Sequence, residues 1–281
     1  MLRSGETGRR LTAPAGHAAA RLMPSEMHLR FFFVHVMKTG GISFRGHLLQ
    51  QFSAAEVYPD PPLDWRVPFD IDAYVSAERI LNLPAERTSV IRVYSGHVPY
   101  VVTEMMPCEL VTMTMLRDPV ERTVSVLRHF KRLVRRCADL TLEEIYEDDV
   151  VYPYFIENHQ TKVFALTAAD EPGNFASAQA GEESAQSAQT IVVDGARLAL
   201  AKENLDRVDV VGITGDYPAF ARELRRRFGW WPGGVDLELR ENVGTDPWTV
   251  DEGLRRRIAG DNEADMELYR YAVDLVGRRG Q

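Results

Sequence analysis

Cysteine is nearly absent. Cys108 and Cys137 are the two in 281 residues, and no Cys-x-x-Cys pair occurs. That leaves neither a disulfide framework nor a cysteine zinc site. No apolar run approaches the ~20 residues a helix needs to cross a bilayer; the longest compact one is Phe31 to Val36. Positive charge is in deficit, with 33 Lys and Arg against 41 Asp and Glu and a formal charge of −8. A protein that coats nucleic acid or an anionic membrane needs a positive field. Neither partner is expected, and any positive charge must act in local pockets. Residues 1–27 contain no apolar stretch of signal-peptide type. They read as a disordered N-terminal tail, and the protein as cytoplasmic. No HExxH or other compact metal-ligand set occurs, the seven histidines are scattered, and no metal is expected. No repeat is visible. Composition is otherwise globular, at 45% apolar and 26% charged residues, which excludes collagen-like and wholly disordered chains.

What is present alternates between strand and helix patterns. Phe31 to Val36 is short, aromatic and β-branched, the mark of a buried strand. A Lys38-Thr39-Gly40-Gly41-Ile42-Ser43 turn follows, and then helical spacing at Phe44, Leu48 and Leu49. Prolines at 59, 61, 62 and 68 make 58–70 an extended loop. Asp72 to Leu83 reads as a helix. Ser89 to Tyr94 and Leu110 to Leu116 read as strands, ending at Ser95-Gly96-His97 and Arg117-Asp118-Pro119. Pro119 suits the first turn of a helix running to about Arg136. Val208 to Ile213 is a further strand. Ala219 to Phe228 and Asp261 to Val276 are amphipathic helices, the second with Met266, Tyr269, Val273 and Val276 on one face. Thr249-Val250-Asp251-Glu252 opens another helix as a capping box. Residues 168–190 are small and polar and read as a flexible insert. The prediction is one α/β domain over 28–278, a central parallel sheet flanked by helices on both faces.

In such sheets ligands sit at the carboxyl ends of the strands, and three predicted strand ends carry distinctive polar groups. Gly40 and Gly41 let the backbone of the first turn approach a ligand closely. Its amides and the following helix N-terminus favour an anion. Lys38 and the hydroxyls of Thr39 and Ser43 add charge and donors. The residue before Lys38 is Met37 and the glycines follow the lysine, so this is not the Gly-x-x-x-x-Gly-Lys-Ser/Thr loop of ATP and GTP hydrolases. At the second strand end, Arg117 offers a bidentate fork for phosphate, and Ser125 lies two helical turns on with a further donor. At the third, His97 is a candidate general base, since an unperturbed imidazole titrates near ~6.5. Each cluster alone also has an ordinary structural reading: a glycine turn, a salt-bridged Arg-Asp-Pro, a core histidine.

Taken as a pair, Phe33-Val34-His35-Val36-Met37-Lys38-Thr39-Gly40-Gly41-Ile42-Ser43 and Leu116-Arg117-Asp118-Pro119-Val120-Glu121-Arg122-Thr123-Val124-Ser125 resemble the two cofactor signatures of sulfotransferases. These enzymes use 3′-phosphoadenosine 5′-phosphosulfate (PAPS) and release PAP. Order and spacing are most similar to the heparan sulfate 2-O-sulfotransferase-like group, and the likeness spans about residues 30 to 278, including Ala201 to Leu205 before Val210 to Thr214. The resemblance implies a P-loop-like three-layer sandwich. It implies that Lys38, Thr39, Gly40, Gly41, Ile42 and Ser43 hold the 5′-phosphosulfate, with Lys38 stabilising the leaving group. It implies that Arg117 and Ser125 hold the 3′-phosphate, that Arg240 matches a basic residue of the late cofactor loop, and that His97 takes the proton of an acceptor hydroxyl.

Two departures stand out. Where the heparan enzyme has His-Gly-His, this chain has Ser95-Gly96-His97. The membrane anchor of Golgi relatives is absent, which suggests a soluble, bacterial-type member. Two other classes remain open at this stage: a PAP- or nucleotide-binding regulatory protein without catalysis, and a P-loop-like kinase for a small metabolite. The acceptor is read as a carbohydrate or small-molecule hydroxyl. Arg128, Lys131, Arg132, Arg135 and Arg136 could face an anionic acceptor, or could be a solvated helix face paired with Glu143, Glu144, Asp148 and Asp149. The acidic whole gives no broad positive face for a long anionic glycan. Oligomeric state is not legible.

Overall fold

The computed structural model describes residues 29–60, 75–170, 191–234 and 248–280. The N-terminal tail 1–27, most of the 168–190 insert, and Arg240 therefore lie outside the described residues. Chain order begins with β1 (Phe31–Val34), α1 (Gly41–Gln51), β2 (Val57–Tyr58), α2 (Ala77–Leu81) and α3 (Ala85–Val90). It continues with β3 (Val93–Gly96), α4 (Val101–Met105), β4 (Val111–Leu116) and α5 (Pro119–Leu133). Then come α6 (Leu142–Tyr146), a π-helical turn (Tyr152–Ile156), α7 (His159–Ala165), α8 (Gly195–Arg207) and β5 (Val210–Ile213). The last helices are α9 (Tyr217–Phe228), α10 (Glu252–Asp261) and α11 (Glu263–Arg279).

The five strands form one parallel sheet in the order β2-β3-β1-β4-β5. The predicted α/β sandwich with helices on both faces is the architecture found. Every residue of β1 is buried, as expected of a parallel strand covered on both sides. Alternation still sorts its side chains. Phe31 and Phe33 join Phe44, Leu48, Met113, Phe220 and Trp230 on the face covered by α1 and α9. Phe32 and Val34 join Tyr94, Phe164, Leu205 and Leu268 on the face covered by α7, α8 and α11. A third cluster, with Leu127, Phe130, Ile145, Tyr146, Ile156 and Ile258, packs α5, α6 and α10 together beyond the sheet. Each such large side chain contributes roughly 1.5–3 kcal/mol by leaving water, so both faces of a short sheet are needed to hold it.

Several predicted elements shift. Ser89 and Val90 end α3, and the strand begins at Val93, where parallel pairing to Phe31 starts. The pair Val57–Tyr58 is a short edge strand that takes in the first residue of the loop predicted over 58–70; residues 61–70 of that loop lie outside the described residues. The helix after Arg117 stops at Leu133 rather than Arg136, and Arg135–Cys137 form a separate 3-10 turn. In α11 the buried face is Asp265, Leu268, Ala272 and Leu275, while Val273 is exposed. The predicted stripe of Met266, Tyr269, Val273 and Val276 holds in part: Tyr269 and Val276 pack half-buried against the core, but the fully buried face lies a step around the helix and includes a carboxylate. The capping box at Thr249 is replaced by Asp251, whose side chain accepts the Leu254 amide. Ala168–Asp170, read as part of the insert, form a 3-10 turn whose Asp170 pairs with Arg197.

Topology decides where a ligand would sit. From β1 the chain runs toward β2 on one side of the sheet, and from β4 toward β5 on the other. The crevice outside the carboxyl ends of β1 and β4 is thus the switch point, where open α/β sheets bind ligands.

Candidate functional site

The turn leaving β1 is shaped by its carbonyls. Thr39 Oγ1 donates to the Val36 carbonyl at 2.8 Å, and Arg122 Nε donates to that of Met37 at 3.1 Å. Arg117 Nη1 donates to the Lys38 carbonyl at 3.3 Å, and Thr214 Oγ1 to that of Thr39 at 2.7 Å. Consecutive carbonyls from 36 to 39 are all bonded by side chains, the first by Thr39 of the turn itself and the others by residues on α5, just past β4 and just past β5. Lys38 has φ 68° and Gly40 φ 93°. Left-handed conformations of this kind point successive amides one way, as anion-binding turns require. Gly40 is the N-cap of α1, whose first amides have no acceptor within the helix. The turn can therefore present amides and the Lys38 ammonium together, and that combination suits a multiply charged anion.

Gly41 has a second role. A Cβ built there would lie 2.0 Å from His35 Nε2. The glycine makes room for an imidazole that is only 3% exposed. The His35 ring lies 4.2 Å from that of His97, centroid to centroid. His97 Nδ1–H donates to the His35 carbonyl at 2.7 Å. A carbonyl can only accept, so this bond places the proton on Nδ1 and leaves Nε2 as the lone-pair nitrogen. Burial, with Lys38 adding to it, pushes His97 down to about 4, against the pull of the His35 hydrogen bond. His35 is likewise held well below its ordinary value, by burial and by the neighbouring His97. Both imidazoles are neutral at pH 7.

Arg117 stands one residue past β4, and burial lowers its guanidinium somewhat from its usual value. Ser125 is half-buried on α5. One turn further, His129 is pushed to about 4 by burial and then by Lys38 and Arg132. Helical spacing places Ser125 and His129 on one face. The structure thus gathers Lys38, the 39–43 turn, His97 and Arg117 at adjacent strand ends. Ser125 is on the adjoining helix, and Arg240 lies outside the described residues.

Sequence reasoning missed several contributors. His35 was legible as the polar residue in an apolar run, and His129 as the i+4 neighbour of Ser125. Thr214, at the end of a predicted strand, had the same signal as Arg117. Arg122 stood inside the second signature without a role, and Gln160 had no signal, since its partner is distant in the chain. The histidines scattered in sequence converge here: His97 feels His129, and the fully buried His159 feels His97. Among the described residues no group of three or more His, Cys, Asp or Glu side chains is placed to hold a metal ion. No described helix is long and apolar enough to cross a membrane.

No family model matches the chain, and no curated protein matches it. Solved structures similar to it include a sulfotransferase from Alicyclobacillus acidocaldarius, with 15% identity, 89% of this chain and 96% of that one covered, and a TM-score of 0.45. A likeness that remote carries no argument about activity.

Proposed function

We propose that the protein is a PAPS-dependent O-sulfotransferase acting on a carbohydrate or small-molecule hydroxyl. The observation that carries this reading is the turn after β1, with its carbonyls drawn inward, its lysine at positive φ, and Arg117 fastened to it from the next strand. The donor set fits PAPS. A lysine and an amide-lined turn suit the 5′-phosphosulfate, and an arginine with a serine nearby suits a second phosphate. Lys38, Thr39, Gly40, Gly41, Ile42 and Ser43 would hold the first group, Arg117 and Ser125 the second.

When bound, PAPS supplies an electrophilic sulfuryl group on a phosphate leaving group. The protein's own work is positioning and charge stabilisation, as in phosphoryl transfer. Lys38 places a positive charge where negative charge develops on the leaving oxygen. His97 Nε2 accepts the proton of the acceptor hydroxyl, worth about 10²–10⁴-fold in rate. Its Nδ1–H bond to the His35 carbonyl fixes the tautomer for that task. Its low pKa keeps the nitrogen unprotonated, and an anion beside Lys38 would offset part of the depression.

Thermal denaturation tests the cofactor reading. Stabilisation by micromolar PAP, with none by ATP plus magnesium, is expected; the reverse pattern overturns it. His97→Ala should abolish transfer from labelled PAPS to acceptor alcohols and leave PAP stabilisation intact. Loss of both would make His97 structural.

A further inference from the structure

Gln160, the second residue of α7, is fully buried. Its amide lies along the backbone of Arg117. Oε1 accepts the Arg117 N–H at 3.0 Å, and Nε2 donates to the Arg117 carbonyl at 2.9 Å. A primary amide bonded to both the N–H and the C=O of one residue imitates a neighbouring strand. It does so where β4 has just ended, at Leu116. Arg117 would otherwise have both backbone groups half-buried at a strand end, a costly arrangement.

Gln160 is itself anchored. Its N–H donates to Asp265 at 3.1 Å, and the Thr161 N–H and hydroxyl donate to the same carboxylate at 2.7 and 2.8 Å. The Asp265 N–H in turn donates to Asn158 Oδ1 at 3.1 Å. A hydrogen-bonded chain therefore runs from α11 through α7 to Arg117, and from Arg117 Nη1 to the Lys38 carbonyl. Packing alone does not ask for an amide here, because a leucine would fill a similar volume without the cost of burying a polar group.

We propose that Gln160 is a positioning residue. It holds the Arg117 backbone so that the guanidinium meets the 3′-phosphate, and so sets the preference for a 3′-phosphorylated nucleotide over one without that group. The inference rests on the reading of Arg117 given under Proposed function.

The test compares the affinity of the full-length protein for PAP and for 5′-AMP, which lacks the 3′-phosphate, by calorimetry. The native protein should prefer PAP, and Arg117→Ala should erase the preference. Gln160→Leu should weaken PAP about tenfold and leave 5′-AMP within about twofold, the size of a lost set of buried hydrogen bonds. Because Gln160 acts through Arg117, the double variant should lose no more preference than Arg117→Ala alone. Gln160→Glu keeps the length and the acceptor for the Arg117 N–H but sets a carboxylate against its carbonyl. It gives the same reading of the ratio should the leucine variant fail to fold. Equal weakening of both nucleotides, or additive losses in the double variant, would reduce Gln160 to a structural residue and overturn the proposal. A native protein without preference for PAP, or an Arg117→Ala variant that keeps it, would instead overturn the cofactor reading itself, and this proposal with it.

Discussion

Two stretches of this protein are rich in cations, and they use charge differently. In the strip along α5 and just beyond it, cations fasten segments together. Both Nε and Nη2 of Arg128 donate to the Trp248 carbonyl, at 3.1 and 2.8 Å. Lys131 donates to the carbonyls of Ala138 and Leu140 and sits over the Trp248 ring. Arg136 pairs with Asp148. Past the carboxyl ends of β1 and β4, by contrast, Arg117 and Arg122 grip the carbonyls of one short turn, with Arg122 also reaching that of Phe155. That grip holds the shape of the turn that bears Lys38. A run of cations at helical spacing is therefore not in itself a ligand surface. What separates the two regions is what the cations bind: loop carbonyls and the Asp148 carboxylate in one, consecutive carbonyls of a strand-end turn in the other.

The largest effect is expected at Lys38. Lys38→Ala is expected to lower transfer from labelled PAPS by about 10²–10³-fold, the scale of removing one stabiliser of developing charge. Initial rates check this, and a variant that keeps a tenth of native activity removes the distinction. Gly41→Ala comes next. Its methyl would collide with the His35 ring, which is buried and cannot swing aside. A loss of about 1–3 kcal/mol of stability is expected, typical of overpacking. A drop in rate should follow, since His97 hangs from the His35 carbonyl. Urea midpoints and rates together would show whether the two losses track.

Third is pH. His97 and His129 are pushed down to about 4 and His35 well below its ordinary value, chiefly through burial. In the unfolded chain they titrate near the ordinary 6.5. As pH falls the unfolded chain takes up protons first, so stability is full above about 6.5 and is lost progressively toward 4. Urea unfolding at stepped pH should reveal that slope, and a flat profile would place these imidazoles in water. Transfer should be level from about pH 7 upward and fall on an acid limb between 6.5 and 4, as His97 gains a proton. The smallest effect belongs to the strip. Arg136→Ala should cost about 1 kcal/mol or less, as for a partly exposed ion pair, and leave PAP affinity unchanged. A weakened PAP response in that variant would return the strip to the binding site.

Much of the fold was legible because buried parallel strands leave a dense local signal. Phe31 to Val36 and Leu110 to Leu116 read as strands, and the structure keeps Phe31–Val34 and Val111–Leu116 of them; the polar residues at their ends were readable too. Boundaries failed where a local pattern competed with pairing or polarity. Ser89 and Val90 look strand-like but precede the register set by Phe31 and Val93. In α11 the buried Asp265 hid the centre of the buried face. The site was partly legible for the same reason: Lys38, His97 and Arg117 announce themselves by standing just past apolar runs.

The sequence by itself determined the alternation of strands and helices, the glycines of the first turn, and which polar groups stand at strand ends. These follow from local chemistry, from side-chain period, backbone freedom and charge, and need no knowledge of distant neighbours. The tertiary structure alone decided that β1 and β4 lie side by side. It decided that Arg122, Arg117 and Thr214 draw in the carbonyls of one turn, that His35 stands against His97, and that Gln160 clamps Arg117. Those pairings join residues 43 to 175 positions apart, and only packing of the sheet against its helices brings them within hydrogen-bonding reach.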